Sequence, residues 1–164
     1  MADIFVSYAR SDKARVAPLV AAIEVQGWSV WWDPEIDAGQ QFDDQIEEEL
    51  KAAKAVLVIW TPSSVASRWV RGEAREAADL GTLVPARFDG ARLPMDVRAI
   101  HTTDMDGWGE NANSAQFQAL LRALSKGAAE HSRDLAAEFR AAHASPLAAL
   151  IAYARCVAGL APSR

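Results

Sequence analysis

The stretch AVLVIWTPSSVASRWVRGEAREAADLG, residues 55–81, sets the fold class of this chain. It opens with a continuous apolar run at 55–60, which is typical of a strand covered on both faces of a sheet. A loop of turn-forming residues is predicted at 61–67, followed by a helix. Ser67 is placed to cap the first turn of that helix, and Gly81 can adopt the left-handed conformation that ends it. A buried strand that leads directly into a helix predicts one unit of a parallel sheet.

The same alternation of strand and helix continues along the rest of the chain. Further strands are predicted at 3–8, 28–32, 82–88 and, more weakly, 98–105. The pattern predicts an α/β domain with a mostly parallel sheet. Pro85 lies within one of these runs and predicts a strand end or an edge position there, because proline has no N–H to donate.

Loops that follow parallel strands are expected to lie along one edge of the sheet. Ligands of such sheets bind in the crevice beyond the carboxyl ends of the strands. The loops at 7–11, 33–41 and 61–67 each follow a predicted strand. We therefore expect a binding site where these loops meet.

The last helix of the domain has a predicted beginning and end. Asn113 is placed to cap it and Gly127 to end it, with Phe117, Leu120, Leu121 and Leu124 on one face. The following segment, 128–164, is rich in alanine and contains none of the six tryptophans. We therefore divide the chain into a domain at 1–127 and a helical C-terminal extension or linker at 128–164. That extension is interpreted as a helical hairpin on the domain, a self-association element or a linker.

Composition excludes several classes of partner. The net charge is −5, which argues against a broad basic surface for nucleic acid. The longest apolar run, at 146–162, is interrupted by Arg155 and is shorter than the roughly 20 residues that a membrane span requires. Three histidines and one cysteine, which are scattered, form no metal-binding pattern. We expect a cytoplasmic protein that binds no nucleic acid, membrane or metal.

Common motifs of α/β enzymes are missing from the sequence. There is no GxxxxGK[ST] loop for phosphates, no GxGxxG after a strand and no GxSxG nucleophile turn. The acidic pair that a phospho-receiver domain needs after its first strand is replaced by SYAR at 7–10. These absences argue against nucleoside triphosphatases, hydride-transfer enzymes, serine hydrolases and receivers.

Four motifs occur in series along the chain: DIFVSYARSDK at 3–13, the segment from GWSVWWDPEIDAGQQ to WTPSS at 27–64, SRWVRGEAREA at 67–77 and LVPARFD at 83–89. Together they resemble the Toll/interleukin-1 receptor (TIR) domain, in its bacterial form. The resemblance covers about residues 3–125. It implies a flavodoxin-like fold with five parallel strands in the order 2-1-3-4-5.

The resemblance also implies one of two activities. Some TIR domains are adaptors that bind other TIR domains, and others cleave NAD⁺ between nicotinamide and ribose. The cleaving members use a glutamate in a W-x-x-x-E arrangement on the helix after strand three, which here is Trp69 and Glu73. Glu73 is thereby implied as the catalytic residue. NAD⁺ is the implied substrate, with nicotinamide and ADP-ribose or a cyclic isomer as products and no further cofactor.

Other residues are implied as contacts of NAD⁺. Ala9 and Arg10 follow strand one, where family members contact the nucleotide, and Arg10 is suited to pair with a pyrophosphate. Asp37, in the gate loop 33–41, and Phe42 occupy positions near NAD⁺ in cleaving relatives. Self-association, or binding to another TIR domain, is implied because a neighbouring molecule often completes the site in this family.

Plainer interpretations stay open at this point. Glu73 can be a solvated helix carboxylate that pairs with Arg71 or Arg75, and Trp69 can simply pack in the core. Arg10 can be an ordinary surface residue. The whole domain can be a non-enzymatic interaction module whose contact surface is the loop at 33–41.

Overall fold

The computed structural model describes residues 2–32 and 42–143. The strands are β1 Ile4–Ser7, β2 Val30–Trp31, β3 Ala55–Trp60, β4 Leu83–Arg87 and β5 Thr103–Asp104. The α-helices are α1 Lys13–Glu24, α2 Phe42–Ala52, α3 Pro62–Ala66, α4 Arg68–Asp79 and α5 Ala115–His143, and a 3-10 turn spans Arg10–Asp12. The predicted gate loop at 33–41 and the end of the predicted extension, 144–164, lie outside the described residues.

The strands form one parallel sheet in the order β2-β1-β3-β4-β5. This confirms the strand order that the resemblance implied. All six residues of β3 are buried, as its continuous apolar run predicts for a strand covered on both faces of a sheet. Its neighbour β1 pairs with it from Ile4 opposite Ala55 to Ser7 opposite Val58. The last residue of β1 therefore lies beside β3, two residues before β3 ends at Trp60 on the carboxyl edge.

Helices cover both faces of the sheet. Alternate residues of β3 enter two separate cores: Leu57 and Ile59 face α1 and α5, whereas Val58 and Trp60 face α2 and α4. The first core is formed with α1 and α5 residues Val16, Leu19, Val20, Ile23, Phe117, Leu120 and Leu124. The second is formed with α2 and α4 residues Leu50, Val70, Ala74 and Ala77. This second face carries the residues of the candidate site.

The prediction that Pro85 marks a strand end or an edge is wrong, because β4 lies between β3 and β5. The N–H of Met105 donates to the carbonyl of Arg87 at 2.9 Å, so odd-numbered residues of β4 turn their backbone groups toward β5. The backbone nitrogen and carbonyl of Pro85 face that same side. The pairing with β5 involves only Ala86 and Arg87, so no strand there requires an N–H from Pro85.

The predicted bounds of the last helix are also wrong. The hydroxyl of Ser114, rather than Asn113, accepts the N–H of Phe117 at 3.2 Å and caps the first turn. The helix continues through Gly127 to His143. Gly127 is a packing residue and not a helix end: a Cβ there would lie 3.3 Å from Cγ2 of Val84. The division of the chain at 127 stays a prediction.

A valine at Gly127 is expected to destabilise the fold by about 1–3 kcal/mol, because its branched side chain must displace Val84 and Ala55 under β4 and β3. Gly72 on α4 is the matched control, since a Cβ there meets nothing within 4 Å. Gly72→Val should change the free energy of unfolding by less than about 0.5 kcal/mol. Urea unfolding of both variants checks this, and equal effects at the two glycines would contradict it.

Candidate active site

The carboxyl ends of β1 and β3 are tied together by a hydrogen bond. The hydroxyl of Thr61 donates to the carboxylate of Asp12 at 2.6 Å, which joins the segment after β3 to the turn after β1. Thr61 also caps α3: its side chain accepts the N–H of Ser64 at 3.1 Å, and the Ser64 hydroxyl accepts the N–H of Thr61 at 2.8 Å. The predicted loop at 61–67 is therefore mostly a short capped helix.

The next helix, α4, has the predicted bounds. The hydroxyl of Ser67 accepts the N–H of Val70 at 3.3 Å and caps the helix, and Gly81 has a φ of 72° just beyond its end. Trp69 and Glu73 lie one turn apart on this helix. Half of the Trp69 surface, 50%, is exposed, so the interpretation of Trp69 as a core residue is wrong.

Glu73 reaches across to the end of β1. The hydroxyl of Ser7, the last residue of that strand, donates a hydrogen bond to Oε2 of Glu73. The guanidinium of Arg75 pairs instead with Asp96, at 2.7 Å. Glu73 is therefore half-buried against the sheet, and the interpretation of it as a solvated partner of Arg75 is wrong.

The surroundings of Glu73 raise its pKa above the ordinary range of a glutamate. Burial is the main cause, because it disfavours the charged form, while side-chain hydrogen bonds with Ser7 and Trp69 favour the charged form and lower the pKa in part. A carboxylate in this setting interacts strongly with a nearby cation, since little water screens it. The arrangement is suited to stabilise positive charge that develops on a bound molecule.

The raised pKa of Glu73 makes the stability of the fold depend on pH. Because its pKa is higher in the folded than in the unfolded protein, ionisation costs stability as the pH rises from the ordinary glutamate range through the raised value. Glu73→Gln removes this cost. The variant is expected to be more stable than the wild type at neutral pH, and the difference should shrink below about pH 4. Thermal unfolding at both pH values measures it, and a difference that is constant with pH would contradict it.

The structure describes only some of the residues that were predicted to contact the nucleotide. Ala9 is half-buried, and its carbonyl accepts the N–H of Asp12 at 2.8 Å, which closes the turn after β1. Arg10 is exposed on that turn. Asp37 lies outside the described residues, and Phe42 is described only as the first residue of α2. The contacts of these residues with NAD⁺ stay predictions.

Ser7 was not predicted from the sequence to be part of the site. The residue was read only as one member of an apolar strand, although a hydroxyl in a buried strand needs a partner. That requirement could have pointed to Ser7. Nothing in the sequence predicts the Asp12–Thr61 hydrogen bond, because the two residues lie far apart in the chain and both are common in turns.

Within residues 2–32 and 42–143, no group of three or more histidine, cysteine, aspartate or glutamate side chains is arranged to hold a metal ion. Over the same part of the chain, no helix is long and apolar enough to cross a membrane.

The chain is similar to known proteins over most of its length. The family model described as "TIR domain" matches residues 4–121. The chain is 27% identical over 139 residues to "NAD(+) hydrolase sarm1" of Drosophila melanogaster, which covers 74% of this chain and 10% of that protein. It is 24% identical over 137 residues to "NAD(+) hydrolase tir-1" of Caenorhabditis elegans, covering 73% and 14% respectively. The chain thus spans a small part of the length of these two relatives.

A solved structure shares the fold. The TIR domain of the Toll-related receptor TRR-2 from Hydra magnipapillata superimposes with a TM-score of 0.65 at 15% sequence identity. The match covers 76% of this chain and 99% of that domain. The superposition therefore includes nearly the whole of a TIR domain.

Proposed function

This chain belongs to the TIR domain family, and from that premise we propose that it is an NAD⁺ hydrolase that cleaves the bond between nicotinamide and ribose. As the bond to nicotinamide breaks, water, or a second nucleophile of the same NAD⁺ molecule, forms the new bond to the ribose carbon and one proton is released. The products are nicotinamide and ADP-ribose or a cyclic isomer. The observation that carries the proposal is Glu73, a half-buried carboxylate held beside the half-exposed Trp69 at the carboxyl edge of the sheet. Two relatives named as NAD(+) hydrolases support it.

One carboxylate is chemically sufficient for this cleavage. Ordinary glycosidases need a second carboxyl group to protonate the leaving oxygen. Nicotinamide leaves NAD⁺ as a neutral pyridine, so its departure requires no proton. The positive charge that develops on the ribose is what needs stabilising, and the ionised Glu73 carboxylate is suited to that role. The same carboxylate can accept hydrogen bonds from the ribose hydroxyls.

Residues of α4 and of the turn after β1 provide further contacts with NAD⁺ in this proposal. The indole of Trp69 offers an exposed aromatic surface beside the carboxylate, and Arg10 offers a guanidinium for the pyrophosphate. Ala9, Asp37 and Phe42 complete the proposed set of substrate contacts. Self-assembly is part of the proposal, because the gate loop of a neighbouring molecule would complete the exposed side of the site.

The test is nicotinamide release from NAD⁺ by the purified protein over a wide range of protein concentrations. Release at a specific rate that rises with concentration is expected, since assembly completes the site. A specific rate that does not change with concentration would refute the role of assembly and leave the hydrolase. No release at any concentration, together with a stable complex with another TIR domain, would replace the enzyme by an interaction module.

The pH profile of the reaction offers a second measurement. Only the ionised form of Glu73 stabilises the developing cation, and the pKa of Glu73 is raised by burial. The kcat/KM, which reports ionisation of the free enzyme, is therefore expected to fall as the pH is lowered, with a midpoint above the ordinary glutamate range. An acid limb that lies within the ordinary glutamate range would contradict the assignment of that limb to Glu73.

A further inference from the structure

The hydroxyl of Ser7 is buried and donates a hydrogen bond to Glu73. The exposed fraction of Ser7 is 2%, and it is the last residue of β1. Side chains of a strand alternate between faces, and Phe5 packs in the core that α2 and α4 cover. Ser7, two residues further on, points to the same face and so meets α4.

The α4 helix brings Glu73 to the same place. Val70, Ala74 and Ala77 are buried on the sheet, and they recur at the spacing of one helix face. Glu73 lies at the border of that face, half-buried, where its carboxylate extends to the end of β1. The contact joins residues 66 positions apart in the chain, so it depends on the correct docking of α4 on the sheet.

We propose that Ser7 is the positioning residue of the Glu73 carboxylate, and that its hydrogen bond to Oε2 fixes how this group faces the ribose of the substrate. The proposal rests on the proposed NAD⁺ hydrolysis. An ionised carboxylate only accepts hydrogen bonds, so the single proton of the Ser7 hydroxyl is directed to it. One oxygen is thereby held against the strand before substrate binds, and the carboxylate needs no reorientation as the cation forms.

The hydrogen bond also helps Glu73 to stay ionised in spite of its burial. Donation to the charged form lowers the pKa of Glu73, opposing the larger effect of burial. The turn after β1 carries the charged residues Arg10 and Asp12, and α4 carries Arg71, Arg75 and Glu76 within three positions of Glu73. Among the described residues, burial, Ser7 and Trp69 account for the shift in the pKa of Glu73. Loss of the Ser7 hydroxyl should therefore raise this pKa further.

A matched pair of variants separates the hydroxyl from the packing at this position. Ser7→Thr and Ser7→Val add the same branched shape to β1, and only threonine retains the donor. We measure kcat and KM for nicotinamide release across pH in both variants and in Ser7→Ala. In parallel, the Glu73 carboxyl is titrated by NMR in protein with ¹³C-labelled glutamate. Its signal is assigned as the one that disappears in Glu73→Gln.

The expected result is a roughly 10-fold lower kcat near neutral pH in Ser7→Val and Ser7→Ala, with KM little changed. The acid limb of kcat/KM should move to higher pH in these two variants and stay near the wild-type position in Ser7→Thr. A hydroxyl with a merely structural role would lower the melting temperature and leave the acid limb in place. Equal pH profiles in the threonine and valine variants would overturn the proposal.

The NMR titration keeps this inference distinct from the proposed function. A wild-type protein that releases no nicotinamide refutes the hydrolase and, with it, the role of Ser7 in that reaction. If instead the wild type is active and the Glu73 carboxyl titrates identically in Ser7→Thr and Ser7→Val, the hydrolase stands and the positioning role of Ser7 is refuted.

Discussion

Glu73→Gln is expected to lower kcat for nicotinamide release by about 10²–10³-fold, the loss typical when one preorganised electrostatic partner of a transition state is removed. Glutamine retains the size of the side chain and can still accept the hydrogen bond from Ser7, so the fold is preserved. What is lost is the negative charge beside the ribose. The KM for NAD⁺ should change far less than kcat, because the charge acts mainly in the transition state.

The control for this variant is Glu76→Gln on the same helix. Glu76 is exposed and lies one turn beyond Glu73, so its replacement removes the same charge from α4 without altering the site. The Glu76→Gln protein should retain at least half of the wild-type rate. A Glu73→Gln protein with a rate close to that of Glu76→Gln would show that Glu73 is not the catalytic carboxylate.

Phe117→Ala is expected to lower the free energy of unfolding by about 3–5 kcal/mol. The side chain is fully buried at 0% exposure and stacks on Trp108 with ring centroids 5.9 Å apart. It belongs to the core that attaches α5 to the sheet, so truncation leaves a cavity that the surrounding strands cannot close. Chemical unfolding followed by tryptophan fluorescence measures the loss.

Met95→Ala is the control for this second variant. Met95 is exposed over 84% of its surface, and its truncation should change the free energy of unfolding by less than about 0.5 kcal/mol. A loss below about 1 kcal/mol in Phe117→Ala would mean that α5 does not complete the core in solution. The fold described above would then be incorrect on that face of the sheet.

Much of the architecture was predictable because its signals are local. The apolar run of β3 predicted a parallel strand with its bounds, and Ser67 and Gly81 predicted the ends of α4. The W-x-x-x-E spacing placed Trp69 and Glu73 one turn apart before any packing was known. Each of these inferences depends on residues within a few positions of one another.

The errors arose where one residue type serves two purposes. Gly127 was interpreted as a helix end, yet it permits α5 to approach β3 and β4 closely. Pro85 was interpreted as a sign of an edge, yet it lies in an inner strand at a point where no N–H is required. The choice between a conformational role and a packing role depends on which element lies opposite.

Local periodicity, capping residues and turn formers in the chain alone thus specified an α/β sheet and the helix that carries the candidate carboxylate. Long-range packing settled which side chain that carboxylate meets. The Ser7–Glu73 hydrogen bond joins residues 66 positions apart, and the Asp12–Thr61 hydrogen bond joins residues 49 positions apart. Such contacts exist only after β1 and β3 have paired and α4 has packed on them, because burial is what forces each polar group to find its partner.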